Sequence, residues 1–201
     1  MVQNIDRFFL AVIILILMGC SNKLAPQMEW QIHKQTLLNI TQFTAKGKII
    51  FIGPEQRISA NFIWEQNHNA ILLQLINFFG VTLLRLEATP NYAILIDNEG
   101  QRYVGKNAAS LLRQLTGMTL PINEMTQWIK GLPTGNNNFR LSADNRVVFL
   151  STDDSSTNQL SLQLEYPTYD SNICSLLPTK IKININNNHQ KVNLIISNWK
   201  Y

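Results

Sequence analysis

The chain reads as a mainly β protein: about ten short antiparallel strands curled into a partly closed barrel, stoppered by one helical pair, with a further helix in front. Three observations predict this. Segment after segment alternates apolar with polar residues, which gives a sheet one dry face and one wet face. Between residues 107 and 133 the apolar spacing lengthens, twice, to that of a helix. Turn residues punctuate the segments, and a sheet of so many strands curls on itself.

Residues 29–40 carry Ile32, Leu37, Leu38 and Ile40, with Trp30 near the start, and predict the first helix. In residues 45–51, Lys46 and Lys48 alternate with Gly47, Ile49 and Phe51. After Gly53–Pro54, residues 57–65 place Ile58, Ala60, Phe62 and Trp64 on one face, with Arg57, Ser59, Asn61 and Glu65 mostly on the other. Strands at 70–76, 81–87, 92–97 and 101–104 follow, with Thr89–Pro90–Asn91 and Asp97–Asn98–Glu99–Gly100 as turns. Asn107 is placed to cap a helix with Ala108, Leu111, Leu112 and Leu115 on one stripe, and Gly117 closes it. After Pro121 a second helix carries Ile122, Met125 and Ile129 on one side, Trp128 beside them, and ends at Gly131 and Pro133. Strands resume at 146–152, 160–166, 180–186 and 190–200, and the Asn-rich pieces 135–138 and 186–188 read as turns.

Ahead of these elements, residues 8–17 form an unbroken apolar run headed by Arg7. It suits the hydrophobic region of a secretory signal and falls short of the ~20 residues of a spanning helix. The run ends in Leu17–Met18–Gly19–Cys20, which resembles a bacterial lipobox. There the cysteine thiol takes a diacylglyceryl group, the chain is cut before it, and the new amine is acylated. The chain then divides into a cleaved signal (1–19), a lipidated tether (20–27) and a single domain (28–201), and the 182 residues left after cleavage suffice for a sizeable core. With Cys20 a thioether, Cys174 has no partner in the chain, so the fold stands without an internal disulfide.

The net charge of +4 is mild, and no basic run or basic patch interleaved with aromatics suggests nucleic acid. His33, His68 and His189 fall in a helix and two turns without ligand spacing, and read as surface residues rather than metal ligands. Phosphate loop, nucleophile elbow and HExxH helix are all missing, and Asp153–Asp154 falls in a Ser/Thr-rich turn. No catalytic residue, metal or cofactor is expected, and the chain does not read as an enzyme. One stretch is out of character. Hairpin tips are normally polar, yet Asn77–Phe78–Phe79–Gly80 puts two phenylalanines there. They fold back into the core, or the strands run on through a bulge, or the two rings form a wedge for lipid.

Leu95–Ile96–Asp97–Asn98–Glu99–Gly100–Gln101–Arg102–Tyr103, Leu115–Thr116–Gly117–Met118–Thr119–Leu120–Pro121 and Gln127–Trp128–Ile129–Lys130–Gly131–Leu132–Pro133 are the most specific stretches of the chain. With them the sequence resembles the LolB family, outer-membrane lipoprotein receptors of Gram-negative bacteria. The resemblance implies an unclosed antiparallel β-barrel of about ten or eleven strands, capped by a helical plug, with an apolar cavity for acyl chains. It implies a monomer that accepts acylated lipoproteins from the periplasmic carrier LolA and inserts them, without an energy source, into outer-membrane lipid. Ser21 after the lipidated cysteine fits sorting to the outer membrane. The family's protruding loop is usually Asn-Pro-Leu-Gly, so Phe78 stands for the proline and Phe79 for the membrane-inserting leucine, followed by Gly80. Strand alternation nominates Phe51, Phe62, Trp64, Leu73, Leu75, Leu84 and Leu86 as acyl-chain lining, beneath Met125, Trp128 and Ile129 of the plug. The competing expectation is a non-catalytic lipid-binding or structural outer-membrane lipoprotein with a solid core.

Overall fold

The computed structural model describes residues 26–135, 137–152, 161–169, 176–185 and 189–201. The expectations for Cys20, Asp153–Asp154, Cys174 and 186–188 lie outside these residues, as does the tether up to residue 25, whereas Pro26 and Gln27 begin a helix. Helix α1 (Pro26–Asn39) leads into β1 (Gln42–Ile52), β2 (Arg57–Asn67), β3 (Ala70–Ile76), β4 (Thr82–Ala88), β5 (Ala93–Asp97) and β6 (Arg102–Gly105). Two plug helices follow, α2 (Ala108–Thr116) and α3 (Ile122–Trp128), and then β7 (Asn138–Leu141), β8 (Val147–Ser151), β9 (Leu162–Tyr169), β10 (Pro178–Ile185) and β11 (Gln190–Lys200). The strands form one eleven-stranded sheet in the order β6-β5-β4-β3-β2-β1-β11-β10-β9-β8-β7, every pairing antiparallel. β6 and β7 remain as two unjoined edges, so the barrel is unclosed.

Cross-strand register puts the apolar residues of neighbouring strands opposite one another. Phe62 faces Leu75, Trp64 faces Leu73, and Leu73 and Leu75 face Leu86 and Leu84 in turn. All are buried, as are Ile181, Ile183, Val192 and Leu194 on the other half of the sheet. Pairs of this kind on one face are what hold a sheet together. At its centre β1 and β11 slip register beside Gly47, and a Cβ there would overlap the backbone carbonyl of Ile195. The close approach is what requires glycine.

The plug is built as its sequence predicts. The Asn107 carboxamide accepts the N–H of Ser110 at 3.0 Å, and Gly117, with φ 70°, ends α2 by donating to Arg113 O. Ala108, Leu111 and Leu112 are buried in α2, and Ile122, Met125 and Trp128 in α3. Gly131 turns the chain out with φ 78°.

Three expectations need correcting. The stretch 135–138 is not only a turn, because Asn138 opens β7, a short exposed edge strand with no inside–outside alternation to announce it. In α1, Trp30 and Leu37 are buried on one face, which leaves Ile32 and Leu38 exposed instead of packed. His33 is half-buried, its ring 5.8 Å from that of Trp30. His68 and His189 are exposed turn residues.

Candidate functional site: a phenylalanine prong, an apolar groove and a closed interior

Between β3 and β4 the chain makes a tight loop tied to its own first residue. The Asn77 side-chain oxygen accepts the N–H groups of Phe79 and Val81, each at 2.9 Å. The Asn77 N–H donates to Val81 O at 2.9 Å, and the Gly80 N–H to Asn77 O at 3.1 Å. Gly80 takes φ 83°, a left-handed value that glycine accepts without cost. With its backbone occupied in this way, the loop holds both rings in solvent. Phe78 is 91% exposed and Phe79 85%. The rings meet edge to face, centroids 5.6 Å apart. Val81, 52% exposed, adds a third apolar residue that the sequence analysis did not single out. Residues 75–84 carry no charge, so entry of this tip into hydrocarbon would strand no ion.

At the root of the prong lies an open groove of about 570 Å³. Its walls are Ile58, Leu75, Leu83, Leu84, Leu115 and Met118, with Gln56, Asn98, Thr116 and Gly117 as the polar part of the lining. The groove therefore joins the β1–β2 turn, the base of the prong and the C-terminal end of α2.

Inside the sheet the arrangement is different. Phe51, Phe62, Trp64, Leu73, Leu75, Leu84, Leu86, Met125, Trp128 and Ile129 are all buried in one cluster. The enclosed space among them is only about 20 Å³, bounded by Ile49, Phe62, Trp64, Leu73, Leu120, Met125, Val192 and Leu194. That is room for about one water, against the roughly 300–1,000 Å³ of a ligand pocket. In this conformation that space is too small for an acyl chain. Of the ten nominated residues, Phe62, Trp64, Leu73 and Met125 touch the enclosed space, and Leu75 and Leu84 line the groove. Phe51, Leu86, Trp128 and Ile129 are packed core. Ile49, Val192 and Leu194 share the same alternation and could have been nominated from it. Leu83, Leu115, Met118 and Leu120 could not, because their role depends on where the plug sits.

The C-terminal end of α3 is fastened by buried polar groups. Tyr166, whose hydroxyl is pushed well above its ordinary pKa by burial, donates to Trp128 O at 2.9 Å. Lys130, 1% exposed, donates to Leu37 O at 3.0 Å and Ile40 O at 2.8 Å, the carbonyls at the end of α1. A cation suits a helix C-terminus, while burial lowers its pKa to about 8. Burial, with the Arg146 guanidinium as the lesser cause, lowers that of His33. Among the described residues no group of His, Cys, Asp and Glu could hold a metal ion.

The family described as outer membrane lipoprotein LolB matches residues 41–199. The chain is 35% identical over 172 residues to the outer-membrane lipoprotein LolB of Pectobacterium atrosepticum, covering 85% of this chain and 81% of that protein. It is also 35% identical over 196 residues to that of Vibrio parahaemolyticus, covering 96% and 94%. Among solved structures it matches a LolA superfamily protein from Nitrosomonas europaea with a TM-score of 0.58 over 89% of this chain and 94% of that one. At 9% identity this likeness is one of fold alone. A family match over most of the chain, together with relatives at this identity and coverage, shows that the chain belongs to the outer membrane lipoprotein LolB family.

Proposed function

We propose that this protein is an outer-membrane receptor in lipoprotein localisation, lipid-anchored through Cys20, that takes acylated lipoproteins from the periplasmic carrier LolA and passes them into the outer membrane. The observation that carries this reading is the juxtaposition of an uncharged tip bearing Phe78 and Phe79 with an apolar groove at its root. An acyl chain cannot cross water bare. At about 0.8 kcal/mol per CH₂, one long chain carries on the order of 12 kcal/mol of transfer free energy. The groove gives such a chain a first resting place, and the apolar face beneath the plug gives it a second once the plug yields. Each phenylalanine adds roughly 1.5–3 kcal/mol on entering the bilayer, enough for reversible contact. With no nucleotide motif in the chain, transfer runs downhill from carrier to receptor to membrane.

The closed interior favours a second reading, a structural lipoprotein whose barrel is only a core. The two separate in one assay. The soluble Cys20→Ala chain is mixed with LolA loaded with a radiolabelled lipoprotein, and the label is followed by immunoprecipitation. Movement of the label to this chain supports the receptor; retention on LolA supports the structural reading.

A further inference from the structure

The loop joining α2 to α3 contributes to both the groove and the enclosed space. Met118 lines the groove and Leu120 lines the interior, two residues apart. Within this loop the Thr116 hydroxyl accepts the N–H of Met118 at 3.2 Å, and two side chains from beyond the plug bond to the loop. Gln56 donates to Thr116 O at 2.6 Å. Gln190 donates to Gly117 O at 2.8 Å and accepts the N–H of Thr119 at 3.0 Å. The two glutamines flank the same end of β1, where Ile52 pairs with Arg57 on one side and Lys191 on the other. The opposite end of α3 is fastened beside the start of β1. There Lys130 grips the carbonyls of Leu37 and Ile40, Tyr166 grips Trp128 O, and Gly131 lies so close to the Tyr169 hydroxyl that a Cβ would stand 2.9 Å from it. One end of the plug is thus set in buried groups, and the other is held by neutral amides at the mouth.

We propose that Gln56 and Gln190 are the gate residues of this receptor. Breaking their three hydrogen bonds loosens the loop, which then swings outward about the fixed end of α3 and joins the groove to the interior as one apolar path for an acyl chain. Amides suit the task. Water replaces their hydrogen bonds once the loop lifts, so the open state leaves little unsatisfied. A charged pair at this place would put an ion beside hydrocarbon. The inference rests on the acyl-carrying role proposed above.

The test uses the soluble Cys20→Ala chain, alone and with Gln190→Leu, Gln56→Ala or both. Amide hydrogen exchange is measured across the plug, and uptake of a pyrene-labelled hexadecanoate is measured by stopped flow. Loss of the Gln190 bonds is expected to speed exchange of the amides at 117–120 by roughly 10- to 30-fold, to leave those at 129–132 unchanged, and to raise the uptake rate by a similar factor. Gln56 is exposed, so Gln56→Ala keeps the fold should Gln190→Leu lose it. Equal acceleration at both ends of α3, or uptake at the parent rate in the variants, overturns the gate while leaving the receptor reading standing. No uptake by any of the proteins overturns the receptor reading, and the gate with it.

Discussion

The side-chain oxygen of Asn77 accepts the backbone N–H of Phe79 at 2.9 Å, which makes the prong a small self-tied structure held by one carboxamide. The same oxygen accepts from Val81, so removing it releases both donors at once. Asn77→Ala is therefore expected to leave Phe78 and Phe79 exposed but let their loop move. Because the site is exposed, global stability falls by only about 1 kcal/mol in urea unfolding. Hydrogen exchange at Phe79 and Val81 rises, and release of cargo into liposomes slows. Unchanged exchange at these two amides would show that the carboxamide does not hold the loop.

Lys130 predicts a specific dependence of stability on pH. Its pKa is lowered to about 8 in the folded protein from about 10.5 in the unfolded chain. Below pH 8 both states hold the proton and the burial penalty is constant. Between about 8 and 10.5 only the unfolded chain keeps it, so the contribution of this side chain to stability rises with pH, by up to about 3 kcal/mol. Urea unfolding of the parent and of Lys130→Met at pH 7.5 and pH 10 isolates the effect. The stability difference, parent minus variant, should grow in favour of the parent at the higher pH; a difference that stays flat or shrinks contradicts the assignment.

Gly47 tests the sheet. Its β1 position lies against the carbonyl of Ile195, where a methyl group has no room. Gly47→Ala forces the two central strands apart and is expected to cost about 3 kcal/mol or more, compared with about 1–2 kcal/mol for Gly100→Ser, where backbone strain is the penalty and nothing is displaced. Gly100 has open space around it, so its φ of 81° is what penalises a side chain there. Thermal unfolding of the two variants side by side decides the matter.

Much of the architecture was legible because the sheet has one buried face. Ile58, Ala60, Phe62 and Trp64 announce β2 by alternation, and the inward members are the residues found buried or half-buried. Asn107 and Gly117 mark α2 by capping chemistry that is local in sequence. What escaped is what depends on distant partners. β7 has no dry face, because it is an exposed sheet edge, and Phe139 there meets Trp30 of α1 at 5.5 Å. Ile32 looks like core until Trp30 and Leu37 fix which side of α1 turns inward. Nothing in the sequence singles out Lys130, and only the fold brings it to the end of a helix some ninety residues earlier. The prong was readable as an anomaly. Whether it pointed in or out was not, since Asn77 could cap a loop of either kind.

The central claim is that the exposed tip of this molecule delivers acylated cargo to lipid, and Phe79→Glu with Phe78→Glu tests it most directly. The soluble Cys20→Ala chain carrying both changes is loaded from LolA, mixed with liposomes of outer-membrane phospholipids, and the lipoprotein recovered with the vesicles is counted after flotation. The account predicts loading equal to the parent and delivery reduced at least about tenfold, the loss expected when several kcal/mol of apolar contact become charge. Delivery at the parent rate from a normally loaded variant would contradict it.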